Sequence, residues 1–203
     1  DLVDPVDKIL SPIMAQRLLV TGASGLLGAN FIASTVEQFD TYGVYYSHPV
    51  QIQSSSLVQG DLTHQSVADR LLDDTKPDII VHCAALTDVD YCEGNHTRAR
   101  QVNVGMTEHL VRWASLHGSK FVYLSTDSVF DGQRGYYCED DATNPLNIYA
   151  KTKLAAETIV RQHCPSHLTV RTNIYGWNIQ EKLSLGEWIL QTLTQGQNVS
   201  GFR

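Results

Sequence analysis

Tyr149 and Lys153 stand four residues apart in Tyr149-Ala150-Lys151-Thr152-Lys153, within a stretch that predicts a helix from Tyr149 to about Gln162. At that spacing the two side chains share one helix face. A free phenol, with a pKa of about 10, is a poor acid–base group at neutral pH, and a neighbouring ammonium favours its phenolate and lowers that value. The pair therefore predicts a proton donor working near neutral pH. Thr126, at the end of the preceding apolar run, adds a hydroxyl that can hydrogen-bond a substrate carbonyl or hydroxyl.

A second constellation lies near the start of the chain, in Thr21-Gly22-Ala23-Ser24-Gly25-Leu26-Leu27-Gly28. Gly22 permits a tight turn, Gly25 clears space for a phosphate to approach the backbone, and Gly28 lets a helix pack closely on its strand. The free N–H groups and positive dipole end of that helix suit a pyrophosphate. The spacing is G-x-x-G-x-x-G rather than G-x-G-x-x-G, but the logic is that of a dinucleotide fingerprint. Tyr-x-x-x-Lys and a glycine-rich turn are each common patterns; their order along one chain gives them weight.

The elements that must hold these residues alternate. Leu18 to Val20 is an apolar run, as expected of a parallel strand covered on both faces. Leu26, Leu27, Phe31, Ile32 and Val36 recur at helical spacing. Tyr42–Tyr46 predicts a second strand and Val58–Thr63 a short third one, with Thr63 capping a helix to about Asp74. Asp78–Ala85 reads as a buried strand carrying His82 as a satisfied core histidine. Ala84 and Ala85 at its carboxyl end leave room for a flat ligand. A long helix marked by Val102, Met106, Leu110, Val111 and Ala114 stops at Gly118. Strands at Lys120–Thr126 and Leu168–Thr172 and a helix over about Leu183–Leu193 complete the pattern. The polar stretch Asp127–Asn144 is long for a simple connection. Alternating strands and helices indicate an α/β fold, a doubly wound parallel sheet of the Rossmann type. In such sheets an acid at the end of the second strand holds the ribose of NAD, and a basic residue favours NADP. Ser47-His48-Pro49 is neither, so NADP and NAD both remain open.

Bulk properties exclude several classes. A net charge of −7 argues against a nucleic-acid groove or an anionic membrane surface as partner. No apolar run reaches transmembrane length and no signal peptide is recognised. Four cysteines without a C-x-x-C pair read as reduced thiols of a cytoplasmic protein. His163-Cys164-x-x-His167 invites a metal, but Pro165 breaks the helix between the histidines, so no metal is expected. Residues 1–16 are expected to be an N-terminal extension, with Met14 a candidate start.

Taken together, the glycine-rich turn, Ser125-Thr126-Asp127 and Tyr149-Ala150-Lys151-Thr152-Lys153 resemble an extended short-chain dehydrogenase/reductase. Cys83–Asp90, Ser125–Gly132 and Glu139–Tyr149 narrow the likeness to the dTDP-4-dehydrorhamnose reductase family. The resemblance covers residues 17–203, as an NAD(P)-binding domain with the start of a substrate lobe, a lobe otherwise largely absent. It implies reduction of the C4 keto group of a nucleotide-activated deoxysugar, with a nucleotide-sugar substrate, NADP or NAD as cofactor and room for a homodimer. Tyr149 would protonate the C4 oxygen, Lys153 would hold the nicotinamide ribose and tune Tyr149, and Thr126 would orient the substrate. Gly22, Ser24, Gly25, Leu26, Leu27 and Gly28 would cradle the pyrophosphate. Asp61 and Leu62 would flank adenine, and Ala84, Ala85 and Thr87 would line the path to the nicotinamide. Arg171–Gly176 matches the segment that closes over the nicotinamide end. Ser128 departs from the usual Tyr and Ala150 from the usual Gly. A dehydratase needs a second acid after Asp127, where Ser128 stands; an epimerase fits Val129–Gly132 less well. A non-catalytic alternative is a nucleotide-binding regulator similar to the beta subunit of methionine adenosyltransferase.

Overall fold

The computed structural model describes residues 15–200, so Met14 and most of the expected extension 1–16 lie outside the described residues. Six parallel strands form one sheet in the order β3-β2-β1-β4-β5-β6. They are β1 (Arg17–Thr21), β2 (Asp40–Tyr45), β3 (Ser56–Gln59), β4 (Ile79–His82), β5 (Lys120–Ser125) and β6 (His167–Arg171). The order reverses between β1 and β4, which opens the crevice where doubly wound sheets take ligands.

The helices are α1 (Leu26–Thr35), α2 (Gln65–Thr75), α3 (Val89–Gly94), α4 (His96–Arg100), α5 (Met106–His117), α6 (Ile148–His163) and α7 (Leu185–Thr194). One π-helical turn, Gln101–Gly105, joins α4 to α5. Two cores sandwich the sheet. On one face α2, α5 and α6 bury Leu72, Leu110, Ala156 and Val160 against Leu19, Ile80, Phe121 and Tyr123. On the other, Ile32 of α1 packs on Leu18, Val20 and Val81. The strict alternation of Phe121 and Tyr123 toward the first core follows from the two-residue period of a strand. The long helix stops at Gly118, which adopts φ 71° as a left-handed cap.

Two local expectations change. The third strand ends at Gln59, so Asp61 and Leu62 sit in the turn beyond it. Thr63 does not cap α2: its N–H and hydroxyl both donate to Asp61 Oδ1, at 3.0 and 2.6 Å, and His64 takes the cap position. Asp61 two residues earlier competes for Thr63, as short carboxylates do in turns. Among the described residues no helix is long and apolar enough to cross a membrane.

Candidate active site

The glycine-rich turn follows β1 directly. Gly22 has φ +70°, and a Cβ there would lie 2.9 Å from the Ala84 backbone. Gly25 takes the N-cap position of α1 with no side chain bonded to the helix end. A Cβ on Gly28 would run into the Gly22 carbonyl, so that glycine sets how closely α1 approaches β1. Ala23 N donates to Val44 O and Gly25 N to Gly22 O, both at 2.9 Å. The turn is therefore shaped by its own backbone, and the uncapped start of α1 has the donors and space that suit an anion.

β4 delivers the next group. Ala84 N donates to Thr21 Oγ1 at 3.1 Å, and Thr21 in turn bonds His82 Nδ1 at 2.6 Å. His82 Nε2 meets Thr107 Oγ1 at 3.0 Å, and Thr107 donates to Asn103 O at 2.8 Å. With the Thr107 proton used there, His82 carries its own proton on Nε2 and accepts from Thr21 at Nδ1. Full burial drives its pKa down to about 3. It is the satisfied core histidine expected, and it fixes where Ala84 and Ala85 leave the strand.

Asn103, on the π-helical turn, is 1% exposed. Its side chain accepts from Leu86 N at 2.7 Å and donates to Leu86 O at 3.1 Å and to Thr152 Oγ1 at 3.0 Å. It clamps the loop that carries Thr87 to helix α6. Nothing in the local sequence marks Asn103, because its burial and its partners Leu86 and Thr152 are set only by the packed structure.

Helix α6 begins where Asn147 Oδ1 accepts from Ala150 N at 2.8 Å and Glu93 Oε1 from Ile148 N at 2.6 Å. It carries Tyr149 and Lys153 beneath the end of β5, beside Thr126. Lys153 is buried, with Nζ 2.6 Å from Leu124 O and 4.2 Å above the Tyr123 ring. Burial lowers its pKa to about 7, against the raising influence of Cys83 and Glu157. Burial also raises the Tyr149 phenol, although the Thr126 hydroxyl pulls it down. This reverses the expected lowering by an ammonium. Desolvation of the half-buried phenol is the largest influence on Tyr149, with Asp127 and Cys92 adding to it.

Glu157 lies one further turn along α6 and was not among the residues singled out from the sequence. It accepts from Ser125 Oγ at 2.5 Å and pairs with Arg171 Nη2 at 2.7 Å. Arg171 also donates to Glu139 O at 3.1 Å and lies over the Phe130 ring at 5.1 Å. That ring stacks on Tyr137, 4.4 Å away. The long loop is thereby shaped into a cleft of about 650 Å³ lined by Asp127, Ser128, Phe130, Arg134 and Tyr137. Ser128 is exposed there, and its N–H donates to Thr126 Oγ1 at 3.1 Å.

The structure thus brings Thr126, Tyr149 and Lys153 to one end of the rim and the glycine-rich turn to the crevice two strands away, with Ala84 and Ala85 between. Asp61 and Leu62 lie farther along the rim, in the turn after β3. Among the described residues no group of three or more His, Cys, Asp or Glu is arranged to hold a metal. His167 Nδ1 instead meets Cys164 O at 2.6 Å.

Residues 16–199 match the RmlD substrate binding domain family. The chain belongs to that family. It is 35% identical over 169 residues to methionine adenosyltransferase 2 subunit beta of Danio rerio, covering 83% of this chain and 50% of that protein. It is 35% identical over 188 residues to a probable low-salt glycan biosynthesis reductase of Haloferax volcanii, covering 90% and 62%. A crystal structure of dTDP-4-dehydrorhamnose reductase from Bacillus anthracis in complex with NADP superposes with a TM-score of 0.73 at 29% identity, over 90% of this chain and 61% of that one. The chain therefore spans 50% to 62% of the length of these relatives.

Proposed function

We propose that this protein uses NAD(P)H to reduce the C4 keto group of a nucleotide-activated deoxysugar, the reaction named for its dTDP-4-dehydrorhamnose reductase relatives. The observation that carries this is the meeting of Thr126, Tyr149 and Lys153 at the end of β5, on the same rim as a glycine-shaped helix start that suits a pyrophosphate. Gly22, Ser24, Gly25, Leu26, Leu27 and Gly28 hold that pyrophosphate through backbone N–H groups. Asp61 and Leu62 flank the adenine, while Ala84, Ala85 and Thr87 line the way to the nicotinamide. A bound dihydronicotinamide supplies the hydride that C4 receives.

The protein's own part is the proton and the oxygen. Tyr149 is protonated across the neutral range because its pKa lies above the ordinary phenol value. It therefore enters the reaction as an acid and gives its proton to the oxygen that becomes the C4 hydroxyl. Thr126 holds that oxygen in line. The phenolate left behind lies one helical turn from Lys153, whose ammonium stabilises it until solvent returns the proton. Lys153 also binds the ribose beside it. The adjoining cleft, with its stacked Phe130 and Tyr137, takes the sugar nucleotide.

The test is loss of NAD(P)H absorbance on adding dTDP-4-dehydrorhamnose, with NADPH and NADH compared. A rate indistinguishable from that without sugar nucleotide refutes the reading. The 35% identity to a methionine adenosyltransferase subunit supports one other reading, a nucleotide-binding regulatory subunit. It is favoured if the protein binds the dinucleotide, leaves it unoxidised and co-purifies with a methionine adenosyltransferase.

A further inference from the structure

Lys153 is buried against β5, and two consecutive residues of that strand meet its ammonium in different ways. Leu124 offers its carbonyl oxygen to Nζ at 2.6 Å. Tyr123 offers the face of its ring, whose centroid lies 4.2 Å from Nζ. The face of an aromatic ring is the negative side of its quadrupole and attracts a cation, more strongly where water is excluded. Water is excluded here: Lys153 is 3% exposed and Tyr123 0%.

The other groups around the ammonium supply little. Cys83, just after β4, is held as a neutral thiol, its pKa pushed up to about 12 by burial. His82 at the end of that strand is neutral as well, its pKa driven down to about 3. Tyr149, one turn back along α6, is protonated through the neutral range. Glu157, one turn on, favours the charge but is already bonded to Ser125 and Arg171. The ring itself is fixed in place. Tyr123 belongs to the core that α5 and α6 make with the sheet, and its ring lies beside that of His82, 5.8 Å between centroids. Its hydroxyl lies near Thr107, whose own proton goes to Asn103 O, and has no hydrogen-bond partner among the described residues. What Lys153 meets is therefore the ring face and not the hydroxyl.

We propose that the face of Tyr123 holds the Lys153 ammonium charged at the rim, which makes Tyr123 a positioning residue for proton transfer from Tyr149. The positioning role rests on the reductase reading above; the hold on Lys153 does not. The charged lysine is the form that stabilises the phenolate left by Tyr149. Removing the ring face removes an attraction that only the ammonium feels, so the lysine then gives up its proton at lower pH.

The test is the titration of Lys153, followed by NMR of protein carrying lysine isotopically labelled at Cε, with the resonance assigned by its absence from Lys153→Met. Tyr123→Phe keeps the ring and deletes an unpaired hydroxyl, so it should fold and titrate as the wild type does. Phenylalanine of increasing fluorine content at position 123 drains charge from the ring face at nearly constant shape, and the midpoint should fall stepwise. Tyr123→Leu should titrate about one pH unit or more below wild type, as loss of a desolvated cation–π contact implies. The pH at which the reductase rate falls should move with the midpoint in each variant. A midpoint indifferent to fluorination, or equal shifts in Tyr123→Phe and Tyr123→Leu, overturns the hold on Lys153. A midpoint that moves while the rate profile stays put overturns the positioning role. Absence of turnover in the wild type refutes the reductase reading and the positioning role with it, while the NMR titration still decides the hold.

Discussion

Lys153 donates from Nζ to the carbonyl oxygen of Leu124 across 2.6 Å, tying the middle of α6 to the last residues of β5. The same bond places the ammonium over the Tyr123 ring and beside Cys83, whose thiol burial pushes up to about 12. A buried lysine held in this way is costly while it is charged, and its cost depends on pH.

The unfolded chain holds the Lys153 proton up to the ordinary lysine value of 10.5, whereas the folded protein sheds it near 7. Between these values the unfolded state binds more protons, so stability rises with pH through that window, and the full cost applies below it. Lys153→Met removes this dependence. Urea unfolding should show the variant gaining most over wild type near neutral pH and losing that advantage toward alkaline pH. A constant difference across the window contradicts the burial argument.

Tyr149→Phe should lower turnover by about a hundred- to ten-thousandfold, the range of a positioned general acid, while NADPH affinity holds. Because burial raises the phenol pKa, the phenol itself limits the wild-type rate only on the alkaline side, and a fall near neutral pH reports discharge of Lys153, which burial brings to about 7. A fall near neutral pH that persists in the residual activity of Lys153→Met would contradict the raised phenol.

Glu157 is almost wholly buried against Arg171 and Ser125. Removing one partner of a buried pair leaves the other uncompensated, so Glu157→Gln should cost about 3 kcal/mol in equilibrium unfolding. Arg171 then loses its anchor, and Phe130 with it. Loss of substrate affinity should accompany the loss of stability, measured as a rise in KM with kcat less affected.

In Gly28→Ala the new methyl would meet the Gly22 carbonyl carbon at 2.8 Å and Ala23 Cα at 3.2 Å, both backbone atoms that cannot swing aside. A cost of roughly 1–3 kcal/mol is expected, with a larger loss in NADPH affinity as α1 is pushed off β1. Calorimetry of the apoprotein and of NADPH binding separates the two effects.

His82 predicts an acid limb. Its folded pKa near 3 lies below the ordinary 6.5, so the unfolded state takes up a proton that the folded core refuses. Stability should fall as pH drops from 6.5 toward 3. His82→Gln should lose that part of the slope, seen in thermal melts across the interval, whatever its cost at neutral pH.

Much of the fold was legible in the order of residues. Apolar runs such as Leu18–Val20 and Ile79–Val81 admit no amphipathic reading, and Gly118 marks the end of α5 because left-handed backbone there favours glycine. Gly22 and Gly28 were legible for a different reason: each stands where a Cβ has no room. The four-residue spacing of Tyr149 and Lys153 put both on one side of α6, whereas the part played by Glu157 emerged only from its partners Ser125 and Arg171.

What local sequence could not determine was what those side chains meet. The charge state of Lys153 depends on its burial and on Cys83 and Glu157, and burial of the Tyr149 phenol itself reversed the shift expected for it. The grip of Asn103 on Leu86 and of Gln180 on Ser24 spans 17 and 156 positions. Spacing along a chain reports which residues share a face; solvent exclusion and partners across the sheet are set only when distant strands pack. The types and order of the reactive groups therefore belong to the sequence, and their protonation and reach belong to the tertiary structure.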